Sequence, residues 1–271
     1  MYCGAVGVLR PGGGATFNVA IRTVAVQGRA LSLGVGSGIT AGSRARAEWR
    51  EWQHKAAFAQ RAAEPFELLE TLALDSGRWR HEGLHRERMA ASARHFGFAW
   101  TVQSWNAALQ GVAAECVTGL WRVRVLCSRD GRVVASAYAM VTAPVPVSLM
   151  LAHRPFLHAH SPFVRHKTTR RAHYEAAESA LHGVFDTLLW NDDGEITECV
   201  RGNVALRFED EETWLTPALD CGLLPGIGRQ VALAEGRVRE AVIPVSALSA
   251  VREIAFLNSL RGWLPARLHQ P

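Results

Sequence analysis

The sequence is poor in lysine. It carries 30 basic residues, of which only Lys55 and Lys167 are lysines, so that the remaining 28 are arginines. Lys167 lies in the stretch FVRHKTTRRAHYEAA (residues 163–177), where arginines already supply positive charge. A guanidinium stays protonated at any working pH, whereas a lysine amine can lose its proton and act as a nucleophile or base. Lys167 is therefore a candidate catalytic residue, although an arginine-biased genome could leave one lysine here by chance.

The sequence also lacks the features of membrane, zinc-binding and disulfide-stabilised proteins. No apolar run approaches the roughly 18 residues that a membrane span requires, and no charged-then-apolar leader opens the chain. The 5 cysteines are scattered without a CxxC pair, which argues against a zinc site and a disulfide framework. We therefore expect no membrane association, a cytoplasmic location and reduced thiols.

The chain has a net charge of +5 at pH 7 but lacks a nucleic-acid-binding pattern. Its arginines are spread along the sequence among Asp and Glu, and no basic run carries interleaved aromatic side chains. This distribution is typical of a solvated surface. We expect no nucleic-acid partner, while small anionic ligands would suit the charge.

The patterning of the chain changes near residue 62. The first sixty residues predict two strands, a glycine-dense loop and a helix, and the pattern restarts around Pro65. We predict a first segment at residues 1–62 and a larger domain at 63–271, with subdomains of about 63–157 and 158–271. Hairpins and helices without a regular βαβ order indicate an α+β (mixed α/β) fold.

Several local elements can be predicted by residue. GLHRERMAASARHFGF predicts a helix closed by Gly97, and SWNAALQGVAAECV predicts a second helix capped by Ser104. WRVRVLCSRDGRVVASAYAM predicts a hairpin that turns at Asp130-Gly131. AHYEAAESALHGVF predicts a helix over residues 172–185.

Four features of the larger domain together provide what a pyridoxal phosphate (PLP) site needs. Lys167 can form an internal aldimine and move protons, and a carboxylate such as Glu198 can keep the pyridine nitrogen protonated. Arg88 can bind phosphate, and His85 shares its helix face at spacing i, i+3. Each feature alone is common on protein surfaces, so that only their combination is informative.

The fourth feature is the glycine-rich stretch GLLPGIGRQ. It predicts that the backbone amides of Ile227 and Gly228 begin a helix, where phosphate binds well. A plain helix start would show the same pattern.

Five stretches resemble the class IV aminotransferase family, also called fold type IV, and they occur in that family's order. They are FELLETL, HRERMAASARHFGF, HKTTRRAHY, DDGEITECVRGNVALR and WLTPALDCGLLPGIGRQ. The resemblance implies a two-subdomain fold type IV enzyme, PLP as cofactor, and a homodimer. It implies that Lys167 is the Schiff-base lysine, that Glu198 is the partner of the pyridine nitrogen, and that Thr71 is a catalytic residue at the substrate side. The phosphate ligands that it implies are Arg88, Ile227 and Gly228. The further cofactor contacts that it implies are Asn203, Asn258 and Ser259. Many members have Thr where this chain has Gly228, so a hydroxyl contact is lost.

The first sixty residues resemble the last portion of chorismate-utilising enzymes such as anthranilate synthase and component I of aminodeoxychorismate synthase. The stretches concerned are YCGAVGVL, FNVAIRT, GVGSGIT and AEWREWQHK. The resemblance implies chorismate contacts by Tyr2, Arg22, Gly36, Gly38 and Lys55, and magnesium ligation by Glu48 and Glu51. The upstream body of such enzymes is missing, including half of the magnesium site. We expect residues 1–62 to be a truncated piece that cannot make aminodeoxychorismate alone and binds magnesium only with the missing domain.

The joined arrangement resembles the fused synthase–lyase of 4-aminobenzoate synthesis. It implies a 4-amino-4-deoxychorismate lyase that converts aminodeoxychorismate into 4-aminobenzoate and pyruvate, a step of folate precursor synthesis. A branched-chain or D-amino-acid transaminase would use the same cofactor residues and is the first alternative. An inactive remnant of a fused enzyme is the second.

Overall fold

A computed structural model describes residues 4–21, 23–49, 51–52, 55–56, 65–178, 182–209 and 212–269. The chain divides into two units, Met1–Pro65 and Phe66–Pro271. The predicted chorismate contacts Tyr2 and Arg22 lie outside the described residues. Among the described helices, none has the length and apolar character needed to cross a membrane.

The first unit contains two separate antiparallel hairpins. Strands β1 (Ala5–Leu9) and β2 (Ala15–Val19) form one hairpin, and β3 (Val24–Gln27) and β4 (Ala30–Leu33) form the other. Within the described part of this unit, Ala20 is the one buried residue. Isolated two-stranded hairpins are marginally stable in water, so burial of apolar surface within this unit contributes little to its folding.

The second unit begins with a four-stranded antiparallel sheet of order β6-β5-β7-β8. Its strands are β5 (Leu68–Asp75), β6 (Arg78–Trp79), β7 (Leu120–Cys127) and β8 (Val133–Ala139). Two helices, α1 (Glu82–Phe96) and α2 (Val102–Glu115), pack on one face of this sheet. That face carries alternate residues of β5, such as Leu68, Leu72 and Leu74, because successive strand side chains point to opposite faces.

The ends of these elements test the local predictions. Gly97 closes α1 in the left-handed region (φ 69°), as predicted. The prediction of Ser104 as the cap of α2 is wrong: the helix begins at Val102, and the extended Thr101 accepts a hydrogen bond from the Ser104 amide at 3.2 Å. The hairpin between β7 and β8 turns at Asp130-Gly131, as predicted.

The rest of the second unit is organised around a mixed eight-stranded sheet of order β11-β10-β9-β16-β15-β12-β13-β14. A helix, α5 (Ile227–Ala234), connects two parallel strands at one edge. The strands are β9 (Val147–Leu151), β10 (Asp186–Trp190), β11 (Ile196–Cys199), β12 (Asn203–Phe208), β13 (Trp214–Pro217), β14 (Val238–Ala241), β15 (Val251–Asn258) and β16 (Gly262–Leu268).

The Lys167 segment lies between two short helices, α3 (Pro162–Arg165) and α4 (Ala172–Glu175). The prediction of one helix over residues 172–185 is therefore wrong, because α4 ends at Glu175 and residues 182–185 are not helical. Gly183 has a φ of 86°, a left-handed conformation that a right-handed helix cannot contain. The alanine-rich pattern favoured helix locally, but the chain must turn here to enter β10.

Gly131, in the turn between β7 and β8, allows a test of how closely this hairpin approaches Ala99. A β-carbon at Gly131 (φ 89°) would lie 1.7 Å from the carbonyl oxygen of Ala99, whereas one at Gly194 (φ 79°) would meet nothing within 4 Å. We expect Gly194→Ala to cost about 1–2 kcal/mol from backbone strain alone. Gly131→Ala should cost clearly more, because the hairpin must move away from Ala99. Urea denaturation midpoints measure both, and equal losses would contradict the close approach.

Candidate active site

The backbone of Lys167 is held by the start of β5. The amide of Leu69 donates a hydrogen bond to the carbonyl oxygen of Lys167 at 3.0 Å, and Leu68 pairs with Thr168 in an antiparallel bridge. These contacts join the four-stranded sheet to the loop between α3 and α4. The lysine is thereby placed beside β5, although about one hundred residues separate the two in sequence.

The amine of Lys167 is prepared for chemistry by its surroundings. Part of the side chain meets solvent, but its charged end is desolvated. This desolvation, with the positive charges of Arg171 and Arg88, lowers the pKa of Lys167 to about 7, and Glu70 and Glu198 offset the effect only in part. Near neutral pH a large fraction of the amine is therefore uncharged and nucleophilic.

Glu198 lies on β11 and is buried, as a pyridine-nitrogen partner requires. The Tyr174 hydroxyl donates to Oε1 at 2.6 Å, and the Leu224 amide donates to Oε2 at 3.2 Å. Burial raises the pKa of Glu198 to about 7 despite these two donors. A nearby cation would hold this carboxylate ionised, and the charge of Lys167 acts on the Glu198 pKa in this direction.

Arg88 is held by a carboxylate that the sequence reasoning missed. Glu70 accepts hydrogen bonds from Arg88 Nε at 2.8 Å and from Arg88 Nη2 at 2.7 Å, and it lies 2.6 Å from His85 Nδ1. Burial opposes the charge of Glu70, yet Arg88 and His85 together lower its pKa to about 2. Glu70 lies on the buried face of β5, where the neighbouring positions of the same face are apolar. A charged residue at a position that the alternating pattern predicts to be buried was the signal for Glu70 in the sequence.

His85 completes this buried set. Burial lowers the pKa of His85 below its usual value, even though Glu70 opposes the shift. With Glu70 ionised, Nδ1 donates to the carboxylate, and Nε2 is buried without a hydrogen-bond partner among the described residues. The predicted pairing of His85 and Arg88 on one helix face therefore serves a common carboxylate.

The predicted phosphate loop is fixed by two side chains on other elements. Asn203 Nδ2 donates to the carbonyl oxygen of Leu224 at 3.1 Å, and Arg88 Nη1 donates to that of Pro225 at 3.0 Å. A β-carbon at Gly226 would lie 1.9 Å from Asn203 Oδ1, so the loop can approach Asn203 only because residue 226 is glycine.

Helix α5 begins immediately after this loop, at Ile227. The amides of Ile227 and Gly228 lie in its first turn, where no intrahelical acceptor exists, and they are available to an anion. The structure therefore brings Arg88 and the start of α5 to the same loop, as a phosphate site needs.

Gly228, Asn258 and Ser259 line a common cavity of about 230 Å³, together with Arg80 and Arg237. A β-carbon at Gly228 would lie 2.7 Å from the carbonyl carbon of Asn258. Glycine at this position therefore accompanies a close approach of the end of β15 to α5. A threonine at position 228 would require one of these elements to shift.

A larger cavity of about 590 Å³ lies elsewhere in the second unit. It is lined mainly by Phe156, His158 and His173 with their neighbours, and none of the predicted cofactor residues lines it. Size alone does not identify the chemistry. Groups with shifted pKa values surround Lys167, among them Glu70 and Glu198, and such groups are characteristic of active sites. The larger cavity contains one as well, because desolvation lowers the pKa of His173 to about 4.

The predicted chorismate and magnesium residues belong to the first unit. Lys55 Nζ lies 2.6 Å from Glu51 Oε1 and donates to the Gly36 carbonyl oxygen at 3.0 Å. Glu48 accepts a hydrogen bond from a nearby serine hydroxyl, and Gly38 lies in the same loop as Gly36. No group of three or more metal-ligating side chains occurs in the part of the chain that the structure describes. Magnesium binding stays a prediction.

The family follows from comparison with known proteins. Residues 67–268 match the family model described as amino-transferase class IV, and residues 1–61 match that of the chorismate binding enzymes. The chain belongs to the class IV aminotransferase family. Both resemblances drawn from the sequence are confirmed, as is the mixed α/β fold of type IV. This fold implies pyridoxal phosphate as the cofactor.

Similar proteins carry both lyase and aminotransferase names. A Schizosaccharomyces pombe protein named "Putative aminodeoxychorismate lyase" is 30% identical over 187 residues, which cover 65% of this chain and 79% of that protein. A "Putative amino-acid aminotransferase" from Mesorhizobium loti is 35% identical, with a TM-score of 0.70 over 75% of this chain and 100% of that one. The 4-amino-4-deoxychorismate lyase of Pseudomonas aeruginosa shares the fold, at 20% identity and a TM-score of 0.63 over 74% and 82% of the two chains.

The residues present fit pyridoxal phosphate. Lys167 offers a neutral amine to the aldehyde, Glu198 a carboxylate to the ring nitrogen, and Arg88 with the first amides of α5 a cradle for the phosphate. The ionised Glu70 orients Arg88 without neutralising every donor, because a guanidinium has five N–H groups and three of them are used.

The role of Glu70 can be tested by Glu70→Gln. The amide nitrogen would face donors of Arg88 and His85, so we expect stability to fall by roughly 3 kcal/mol and the cofactor to bind more weakly. Because folding lowers the pKa of Glu70 from 4.5 to about 2, its contribution is present above pH 4.5 and lost as the pH falls towards 2. Denaturation at several pH values measures this. Glu87→Gln, on the exposed face of α1, is the control and should change neither quantity.

The lowered pKa of Lys167 predicts how cofactor capture depends on pH. The uncharged fraction of the amine increases as the pH rises through about 7, so covalent capture of PLP should increase with a midpoint there. Borohydride reduction followed by peptide mass spectrometry locates the trapped lysine. Lys167→Arg should abolish trapping, because a guanidinium does not form the bond. Lys55→Arg, which changes the other lysine of the chain, should leave it intact; trapping on Lys55 would contradict the assignment.

Proposed function

We propose that this protein is a pyridoxal-phosphate-dependent 4-amino-4-deoxychorismate lyase, which releases 4-aminobenzoate and pyruvate for folate synthesis. The observation that carries the proposal is the joining of a segment similar to chorismate binding enzymes with a class IV domain in one chain. The lyase name of the S. pombe relative supports it. The residues around Lys167 support the cofactor and are common to lyases and transaminases, so they do not select the reaction.

Each residue near the cofactor has a separate role in this proposal. Pyridoxal phosphate, when bound, supplies an electron sink for the carbon that bears the substrate nitrogen. Glu198 keeps the ring nitrogen protonated, which maintains that sink, while Arg88 and the start of α5 hold the phosphate. The amine of Lys167, in its uncharged form, would remove the proton from that carbon.

Lys167 is then protonated and can return the proton to the departing enolpyruvyl oxygen. Loss of this group makes the ring aromatic, which supplies a large driving force, so the protein mainly has to position one proton transfer. We assign to Thr71, on β5, a hydrogen bond near the leaving group. We also infer that the enzyme acts in the cytoplasm as a homodimer, which sedimentation can test.

A transaminase acting on branched-chain or D-amino acids is the second candidate. The 35%-identical M. loti protein carries an aminotransferase name, and the same Lys167, Glu198 and Arg88 would serve. An inactive remnant is disfavoured, because Lys167, Glu198 and Arg88 are all present, and Glu198 and Arg88 make the hydrogen bonds that hold them in place.

The decisive assay supplies enzymatically made aminodeoxychorismate to the PLP-loaded protein. We expect 4-aminobenzoate and pyruvate in equal amounts, detected by chromatography and by a coupled dehydrogenase. Lys167→Arg should reduce the rate to background, whereas Lys55→Arg should retain the wild-type rate. Both variants keep the positive charge and contain one lysine, so the pair tests whether the amine at position 167 is required.

Two other outcomes would overturn the proposal. Formation of a keto acid from branched-chain or D-amino acids, with no 4-aminobenzoate, would assign the protein as a transaminase. Absence of the visible absorbance band of lysine-bound cofactor would favour the inactive remnant.

A further inference from the structure

The residue before Lys167 is anchored to helix α1. His166 is extended (φ −118°, ψ 128°), and the segment that follows it runs antiparallel beside the start of β5. Successive side chains of an extended segment point to opposite sides, so His166 and Lys167 point away from each other. His166 Nδ1 lies 3.0 Å from the Ser92 hydroxyl oxygen, and the His166 ring stacks on that of His95 with 4.2 Å between the ring centroids. Both partners belong to α1.

The hydrogen bond between Ser92 and His166 is partly buried. Ser92 is 2% exposed, and the ring of Phe96 lies edge-on to that of His166 with 5.2 Å between the centroids. Burial, with a smaller effect of the charge of His95, lowers the pKa of His166 to about 4, so that the ring is uncharged at neutral pH. An uncharged imidazole has one donor and one acceptor nitrogen, and a hydroxyl can pair with either. Removing the hydroxyl would leave the ring nitrogen without its partner, which is costly where water has little access.

Helix α1 thereby contacts both ends of the candidate cofactor site. Arg88 lies four residues before Ser92 on the same face of the helix, about 6 Å away along the axis, and it donates to the Pro225 carbonyl oxygen of the phosphate loop. Ser92 contacts the segment that carries Lys167. Backbone hydrogen bonds to β5 hold this segment from the Lys167 carbonyl onwards, and the His166 side chain holds it on the amino side. One rigid helix therefore sets the spacing between the two ends.

We propose that Ser92 is a positioning residue that, through His166, fixes where the amine of Lys167 stands relative to Arg88. This assignment rests on the cofactor named in the proposed function, and it holds for a lyase and for a transaminase alike. Covalent capture of PLP needs the amine at bonding distance from the aldehyde while the phosphate is held at the other end. A displacement of the lysine by about 1 Å therefore slows capture without changing the phosphate contacts.

The test separates covalent capture from phosphate binding. PLP reacts with the lysine, whereas pyridoxamine phosphate carries an amine in place of the aldehyde and binds through non-covalent contacts alone. In Ser92→Ala we expect the rate of PLP capture, followed by absorbance and by borohydride trapping, to fall roughly ten- to a hundredfold. The Kd of pyridoxamine phosphate, measured by calorimetry, should stay close to the wild-type value, because Glu70 still holds Arg88.

Two pairs of variants separate positioning from loss of structure. His166→Asn keeps a polar atom near the place of Nδ1 and should retain part of the capture rate, whereas His166→Leu should lose it. Ser104→Ala is the matched control for Ser92→Ala. It removes a helix hydroxyl that is hydrogen-bonded to Thr101, and it should change neither the capture rate nor the Kd of pyridoxamine phosphate.

A wild-type capture rate in Ser92→Ala would overturn the assignment and leave the lyase proposal standing. Equal losses of PLP capture and of pyridoxamine phosphate binding would also overturn it, because they indicate that Ser92 only supports the structure. Capture that depends on Ser92, in a protein that releases no 4-aminobenzoate from aminodeoxychorismate, would overturn the lyase proposal and support the positioning role. Failure of the wild-type protein to capture PLP would overturn both.

Discussion

The hydrogen bond from the Leu69 amide to the Lys167 carbonyl is the contact on which the site depends. It attaches the loop between α3 and α4 to the start of β5, so that the reactive lysine, the buried Glu70 and the solvent-facing Thr71 come from two adjacent backbone segments. The alternation of side chains along β5 then determines which face of the sheet each residue occupies. Glu70 points to the helices and holds Arg88, whereas Leu69 and Thr71 point to the opposite face, where Arg124 lies.

Desolvation and paired charges divide the ionisable groups of the site into two kinds. Glu70 is buried beside Arg88 and His85 and stays ionised, because charge-assisted hydrogen bonds more than offset its burial. Lys167 and Glu198 have fewer compensating partners, so burial moves the pKa of each to about 7 from opposite directions. The first arrangement holds the Arg88 guanidinium in a fixed position. The second produces groups that can exchange protons near neutral pH.

Close backbone approach determines where glycine is needed around the phosphate loop. Gly226 allows the loop to contact Asn203, and Gly228 allows α5 to contact the end of β15. The hydroxyl that many relatives carry after the isoleucine has no room here unless Asn258 moves. We therefore propose that phosphate binding in this chain depends on the first backbone amides of α5 and on Arg88.

The sequence by itself determined the family and the fold type, because these follow from residue types within short, ordered stretches. The roles of Lys167, Glu198, Arg88 and the start of α5 were predicted from the same stretches and stay predictions. Prediction from the sequence failed at the Ser104 cap and at the helix over 172–185, where local propensity competes with chain direction. Only the tertiary structure showed Glu70 beneath Arg88, Tyr174 on Glu198, and Arg124 opposite Thr71. These pairs are distant in sequence, and their contacts depend on strand register and burial, which residue spacing does not encode.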